Sequence, residues 1–435
     1  MGTLLISNLG SLITGNRDPI NILGSPEAFV APYHRYLRVQ AHRTIWFAQP
    51  GDVLILPTST DKQFIEYTAE LRGFDAAELK ILTPDTLNHS VAAIRRVVEE
   101  HDVNRIWPYY FDRTIAAFTR SLGLPVPGFV YQSGAELLNS KIFFRALAAG
   151  TNAPIADGWV PTSRADAEEY IWEKLSEGHC VILKEDFHVG GLGNLIMSPG
   201  QRVTPIGAVR AEICTDRKSV KATLAHHWAT VADHEMPKIV IEQYEPDARS
   251  IYAGFSLTDD GVSIYGHGEM RMMPVINGLI TPILLNNQMR KGSEFLDQAE
   301  RLSGAVQRMG YRGQLSVDGI LTAEGGVFLT EFNARSGGAT HNHCIMNTLV
   351  AKSPEPDRIM LDRRRCDFPP LGPFLSALRA EGLVFNQANR TGVIVTVHDG
   401  GLESETGEFC VIAENLVQAE QMEEAVTTLI RKMSA

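Results

Sequence analysis

The sequence predicts a multidomain protein of mixed α/β and α+β construction, and three observations carry that prediction. The chain has 435 residues, several times one compact unit at roughly 100 to 200 residues per domain. Short apolar runs alternate with helical patterns as far as Leu124, the rhythm of βαβ units and a mostly parallel sheet. Beyond Ser133 strands follow one another around isolated helices, which is an α+β pattern. Composition agrees: 44% hydrophobic and 21% charged residues, with 37 Gly and 22 Pro, are the proportions of a globular protein.

In chain order, Thr3–Ser7, Val53–Pro57, Lys80–Leu82 and Arg105–Trp107 read as strands, with helices over Asp61–Arg72 and Ser90–Glu100. The prolines of Leu124–Gly128 punctuate the chain, since proline continues neither a helix interior nor a ladder. A helix follows over Asp166–Leu175, whose Ala167, Tyr170, Ile171 and Leu175 share a face. Strands are expected at Cys180–Lys184 and Asn194–Met197, and further strands surround an amphipathic helix, Ser293–Met309, that Gly310 can end as a left-handed residue. Ser353–Pro373, rich in Pro and Arg, reads as a linker or surface arm. The tail offers strands at Gly392–Val397 and Glu408–Ala413 and a helix over Val417–Lys432. These breaks divide the chain into 1–134, 135–238, 239–350 and 351–435, the last as a small α/β appendage.

The formal charge is -11 at pH 7 and no Lys/Arg tract occurs, which argues against a nucleic-acid partner, because such binding neutralises phosphates with clustered cations. Five widely spaced cysteines without a C-x-x-C pair suggest neither a disulfide framework nor a zinc site and fit a reducing cytoplasm. Ser7, Asn8 and Gly10 interrupt the apolar start, so a strand and turn are expected there rather than a signal peptide. No stretch reaches the ~18 apolar residues that a membrane span needs.

Three stretches carry chemistry. In Gln314–Gly338, Gly325-Gly326 supplies a turn between two strands. A symmetric ribbon turning between Glu324 and Gly325 sets Asp318 opposite Glu331, and alternation puts Asn333 on the face of Glu331. Two close carboxylates repel, and a hard divalent cation with oxygen ligands, Mg2+ above all, relieves that. The same spacing also suits a solvated hairpin with an acidic wet face. The second stretch is a strand ending in Lys184, followed by Gly190, Gly191 and Gly193, where a point charge and backbone N–H groups can surround phosphate. It is neither a Walker A loop nor a Rossmann fingerprint, because no G-x-x-x-x-G-K-[ST] occurs and the glycines precede a strand. No H-R-D or D-F-G kinase motif occurs. The third is the strand Ile239–Glu245, apolar and then acidic at Glu242, Gln243, Tyr244 and Glu245, whose backbone can meet an adenine edge while a carboxylate accepts from ribose. Many ordinary strands end this way.

The order of these features, Lys141 at a helix start, Lys184, the glycines, Glu242 to Glu245, Asp318, and the run Glu331-Phe-Asn333-Ala-Arg335-Ser-Gly337-Gly338, resembles the ATP-grasp superfamily over roughly residues 135–350. The resemblance implies an ATP-grasp fold after a Rossmann-like pre-ATP-grasp domain, and ATP with Mg2+ as cofactors. It implies Lys141 and Lys184 on the α and β phosphates, Gly190, Gly191 and Gly193 closing over the β and γ phosphates, Glu242 to Tyr244 on adenine and Glu245 on ribose. Asp318, Glu331 and Asn333 would be metal ligands, and Arg335 would steady the transferring phosphoryl group, with Lys184 and Arg271 also in the catalytic set. The whole chain is further similar to the carboxylate–amine ligases of the pheganomycin type, which implies a guanidino-bearing, nonproteinogenic carboxylate donor and a peptide amine acceptor in peptide antibiotic biosynthesis. Alternatives are a dipeptide ligase on free amino acids and a non-catalytic nucleotide-binding protein. A cytoplasmic homodimer is the expected setting.

For the substrate end, Arg271 is a candidate carboxylate clamp or the ion-pair partner of Glu269, and Glu269 a candidate guanidinium selector. Arg290, after Asn286-Asn287, is a further candidate. His341 and His343 share a face if extended, but lack a third ligand and fit a core or pocket lining better than a metal site.

Overall fold

The structure, a computed structural model, describes residues 2–9, 39–57, 59–83, 91–187, 190–191, 193–231, 239–284, 289–351, 357–398, 400 and 406–434. His188, Leu192, the Asn286-Asn287 pair, the side chain of Arg290 and Ser353 lie outside the described residues.

Four parallel strands, β1 (Gly2–Ile6), β2 (Val53–Ile55), β3 (Lys80–Leu82) and β4 (Val103–Pro108), form the first sheet in the order β3-β2-β1-β4. This is the parallel layer the alternation predicts. Its β-strands put Leu4, Ile6 and Val53 on one face, against Ile94 and Val98 of the helix Val91–Glu100. Leu5 and Leu54 face the other way and pack with Phe374, Val411 and Val426 from the far end of the chain.

The second sheet contains β5 (Gly158–Trp159), β6 (Cys180–Glu185), β7 (Asn194–Ser198), β8 (Arg210–Ile213) and β9 (Ile239–Tyr244) in the order β5-β9-β6-β7-β8. The helices Arg164–Ser176 and Arg217–Val231 bury Ile171, Leu175, Val220 and Leu224 against it. Ser163 caps the first of them, its hydroxyl accepting from the Asp166 N–H at 3.1 Å.

The third sheet has eight strands: β10 (Arg249–Leu257), β11 (Val262–Met272), β12 (Ile276–Thr281), β13 (Gly313–Leu321), β14 (Val327–Asn333), β15 (Ile359–Asp367), β16 (Gly392–Val397) and β17 (Thr406–Ala413). Their order is β14-β13-β10-β11-β12-β15-β17-β16. The helices Lys141–Gly150 and Met289–Arg308 cover one face through Phe144, Ala148, Phe295 and Leu302. Gly310 follows the longer helix with φ 106°, as its predicted role requires.

Three expectations are corrected. The residues from 351 onward are not an appendage: β15 pairs with β12, Ile280 opposite Leu361, so the tail completes the large sheet. A break at 238 likewise cuts β9 from its partner β6. The arginine-rich arm is strand β15 and the helix Leu371–Ala380. Charge did not prevent a strand there because the buried Arg364 donates to the buried Asp362 at 2.7 Å. No helix among the described residues is long and apolar enough to cross a membrane, and all five cysteines are free.

Candidate active site

Between the second and third sheets lies a cavity of about 310 Å³. Its acidic wall is the β13–β14 ribbon, where Asp318 stands opposite Glu331 and Ser316 opposite Asn333. The turn does not put them there by symmetry. Near the turn Leu321 pairs with Val327 and Gly319 with Leu329, and the register then slips by one at Thr330. Val327 and Leu329 are buried in the core, so period-2 alternation alone would carry Glu331 to the core as well. The bulge reverses the phase, placing Phe332 in the core and Glu331 and Asn333 in the cavity.

The Asn333 amide donates to Asp318 Oδ2 at 3.2 Å and Glu331 Oε1 at 3.3 Å, and the Ser316 hydroxyl donates to Asp318 Oδ1 at 2.9 Å. Burial, reinforced by the Glu331 charge, pushes the Asp318 carboxyl up to about 8. Burial also raises Glu331, but Lys141, Lys184 and Arg335 outweigh it and hold that carboxyl down, at about 2. The pair is therefore short of positive charge. Its donors are hard oxygens, and an amide turn offers Asn333 Oδ1 in place of its nitrogen, a set that fits Mg2+. Among the described residues no cluster of three His, Cys, Asp or Glu side chains could hold a metal. A cation here would need oxygens from a ligand such as phosphate to complete its shell.

Facing this wall is Lys141, the first residue of its helix, with Nζ 3.4 Å from Glu331 Oε2. Burial lowers its pKa against the pull of Glu331. The helix start is pinned by Asp186 at the end of β6, whose Oδ1 accepts from the Ser140 hydroxyl at 2.8 Å and the Ile142 N–H at 2.9 Å. Lys184, on β6, is ion-paired with Glu242 of β9, whose other oxygen takes Arg145 at 2.6 Å. Gly190 and Gly191 line the cavity with φ 67° and 78°. A Cβ on Gly191 would stand 2.7 Å from the Gly207 oxygen, so the close approach as well as the left-handed backbone selects glycine. Gln243, Tyr244 and Glu245 complete this side, Gln243 Nε2 donating to Glu245 at 2.9 Å and Tyr244 Oη accepting from Ile206 N–H at 3.2 Å.

The structure thus brings Lys141, Lys184, Gly190, Gly191, Glu242 to Glu245, Asp318, Glu331, Asn333 and Arg335 to one cavity. It does not bring Gly193 or Arg271. Gly193 is absent from the wall and closes the β6–β7 turn, its carbonyl accepting from Glu185 N–H at 3.3 Å. Arg271 is a correction with a simple cause: Met270 and Met272 line the cavity, so the residue between them points away, and its guanidinium pairs with Glu423 at 2.6 and 3.0 Å. Glu269 shares that outer face and is occupied by Arg249. His341 and His343 are buried on the helix Thr340–Ile345 rather than on a strand. The Glu242 side chain is a buried counter-ion to two cations, which leaves its backbone for the ligand contact expected there.

Sequence reasoning missed Gln40, Arg43, Tyr109, Arg364 and Arg365, which line the end of the cavity near Gly337 and Gly338. Arg43 pairs with Glu408 through two hydrogen bonds. The only sequence signal was the Arg363–Arg365 run, which reads as a wet surface.

Residues 41–124 match a family model described as the pre ATP-grasp domain, and residues 374–426 match one described as the PGM1 C-terminal domain. No curated protein matches the sequence. Among solved structures, the chain is similar to a biotin carboxylase from Campylobacter jejuni in complex with β-γ-ATP, at 13% identity and a TM-score of 0.58 over 98% of this chain and 90% of that one. It is similar to an ADP complex of purK, an N5-carboxyaminoimidazole ribonucleotide synthetase, at 13% identity and 0.56 over 100% and 98%. An L-amino acid ligase from Bacillus licheniformis follows, at 13% and 0.52 over 98% and 97%. These likenesses establish the fold: an ATP-grasp architecture preceded by a pre-ATP-grasp α/β domain.

Proposed function

We propose that the protein is an ADP-forming ligase that joins a carboxylate to an amine through an acyl phosphate, using ATP and Mg2+. The observation that carries this reading is the convergence of two lysines, paired glycines, an acidic ribbon and Arg335 on one cavity between two sheets. The likeness to structures described as nucleotide complexes supports it.

A free carboxylate does not acylate an amine near neutral pH, because its oxygen is a poor leaving group. Attack of a carboxylate oxygen on the γ-phosphorus forms one P–O bond and breaks the bond to the β-phosphate, releasing ADP. The amine nitrogen then bonds to the acyl carbon, the C–O bond to phosphate breaks, and the nitrogen loses a proton to leave the amide. Each close pair of negative charges in such a cleft costs about 4 kcal/mol at an effective dielectric near 20. Lys141 and Lys184 offset that on the α and β phosphates, and Gly190 and Gly191 lie over the terminal phosphates, excluding water. The backbone at Glu242 to Tyr244 meets adenine and Glu245 the ribose. Asp318, Glu331 and Asn333 would hold Mg2+, which would supply further positive charge to the phosphates. Arg335 donates to the transferring phosphoryl oxygens and to the tetrahedral oxyanion.

The similarity to pheganomycin-type ligases extends the reading to a peptide amine acceptor and a nonproteinogenic donor in antibiotic biosynthesis. A guanidino group on that donor rests on the similarity alone, since Glu269 is engaged by Arg249. The second reading, a ligase of two free amino acids, is favoured by the arginines at the far end of the cavity, which suit a free carboxylate. Incubation with MgATP and panels of acids, amino acids and peptides, followed by ADP release and product mass, tests all of this. Lys184→Ala and Glu331→Ala are expected to lose ADP release, and near-normal release by either overturns the assignment. Sedimentation tests the expected homodimer.

A further inference from the structure

We infer that Arg145 is a positioning residue for the nucleotide: by neutralising Glu242 from behind the cavity wall, it leaves Lys184 a full positive charge to offer to phosphate. The inference rests on the nucleotide half of the ligase reading and adds to it a residue that touches no substrate.

Lys141 and Arg145 stand one turn apart on the helix Lys141–Gly150. Lys141 reaches the acidic ribbon at Glu331, whereas Arg145 reaches β9 at Glu242. Lys184 and Glu242 line the cavity and Arg145 does not.

The Arg145 guanidinium is lodged in a slot made for it. Its Nη1 donates to Glu242 Oε1 at 2.6 Å and to the Ala156 oxygen at 3.2 Å. Gly158 stands opposite Glu242 in the β5–β9 pairing, and a Cβ there would lie 2.9 Å from the guanidinium carbon and from Nη2. A residue without a Cβ is therefore what lets the arginine lie against the strand. Only 12% of the side chain is exposed.

One cation is enough to neutralise a buried carboxylate, yet Glu242 has two, with Lys184 on its second oxygen. A Lys184–Glu242 pair alone would satisfy the fold, but it would face phosphate with no net charge. Adding Arg145 brings two like charges to one carboxylate, a cost that packing alone does not require. With it the trio carries one net positive charge. Because Arg145 stands outside the cavity, the cation that a ligand meets is the Lys184 ammonium. That group has three protons, so it can keep Glu242 Oε2 and still donate to phosphate. Glu242 thus fixes where Lys184 points, while Arg145 holds Glu242 and cancels its charge.

Calorimetric titration of the full chain with MgADP and with adenosine, which lacks the phosphates, reads this charge as a ratio of affinities. Arg145→Met is expected to cut the preference for MgADP over adenosine about tenfold and to leave adenosine affinity unchanged. Arg145→Lys, which keeps the charge, should hold the preference within about threefold of the native one. The double variant Arg145→Met/Glu242→Gln removes one charge of each sign and should recover most of the preference. A purely structural arginine predicts a different pattern, in which both ligands weaken alike and the double variant is no better than the single one. That pattern overturns the inference, as does an undiminished preference in Arg145→Met. Should Arg145→Met not fold, the double variant decides: a native-like preference there supports the charge balance, and its loss overturns it. A native chain that binds MgADP no better than adenosine instead overturns the nucleotide reading itself, and the inference with it.

Discussion

Strands β14 and β15 use one device to opposite electrostatic ends. In β14, Thr330 is an extra residue between the pairs Asp318–Glu331 and Gly319–Leu329; in β15, Arg364 and Arg365 together oppose Glu408. Each slip turns two consecutive side chains to the cavity, Thr330 with Glu331 and Arg364 with Arg365. One end of the cavity becomes acidic and the other basic. The difference lies in how the slip is held. In β14 it is set by the core, because Val327 and Leu329 before it and Phe332 and Ala334 after it must all be buried. In β15 it is set by a left-handed backbone at Arg365 and by the ion pairs beneath. A bulge can thus be enforced by packing or by charge.

The largest expected effect comes from exchanging the two residues after the slip, Glu331→Phe with Phe332→Glu. The exchange puts the carboxylate on the core side of β14, so ADP release should fall at least ~10²-fold and urea unfolding should show a loss of about 3–5 kcal/mol, the cost of a buried unpaired charge. Unchanged activity would show that the slip does not place the carboxylate. Next is Arg43→Met, which leaves Glu408 without its bidentate partner and is expected to cost about 3 kcal/mol by the same measurement. Acidification should act on that pair more gently. Burial raises the Glu408 carboxyl, but Arg43 and Arg364 outweigh it and hold it below the usual carboxylate range. Its contribution is therefore complete above the unfolded value of about 4.3 and is lost as pH falls through the folded one. The urea midpoint should drop on acidification in the native chain and drop less in the Arg43→Met/Glu408→Leu double variant. The smallest effect is expected for Arg271→Met. Its half-buried pair with Glu423 is worth about 1 kcal/mol at most, and kcat and KM should not move, whereas a raised KM would restore Arg271 as a substrate clamp.

Much of this was legible. The parallel first layer follows from its alternation, and Asp318 faces Glu331 as the ribbon predicts, although the turn alone does not produce that pairing. The slip itself was written in the spacing of Val327, Leu329, Phe332 and Ala334, which shifts from two to three and back. What could not be read were contacts between residues far apart in the chain. Arg271 looked poised beside Glu269, but its partner lies on the last helix, and Glu269 is claimed by Arg249. Arg363 to Arg365 read as solvated, yet Arg363 pairs with Glu423 on the last helix and Arg364 bonds Asp362 in the field of Glu408 on β17. Tyr109 and Arg43 carry no local pattern at all.

The first parallel sheet has one face closed by its own helices and the other by Phe374, Val411 and Val426. A ribosome delivers those closing residues long after Leu5 and Leu54. During synthesis the opening layer must therefore wait, half dressed and with Leu5 and Leu54 wet, until residues 374–426 have emerged. Release of a shortened chain lacking the tail would leave that greasy side bare, an invitation to chaperones or to aggregation.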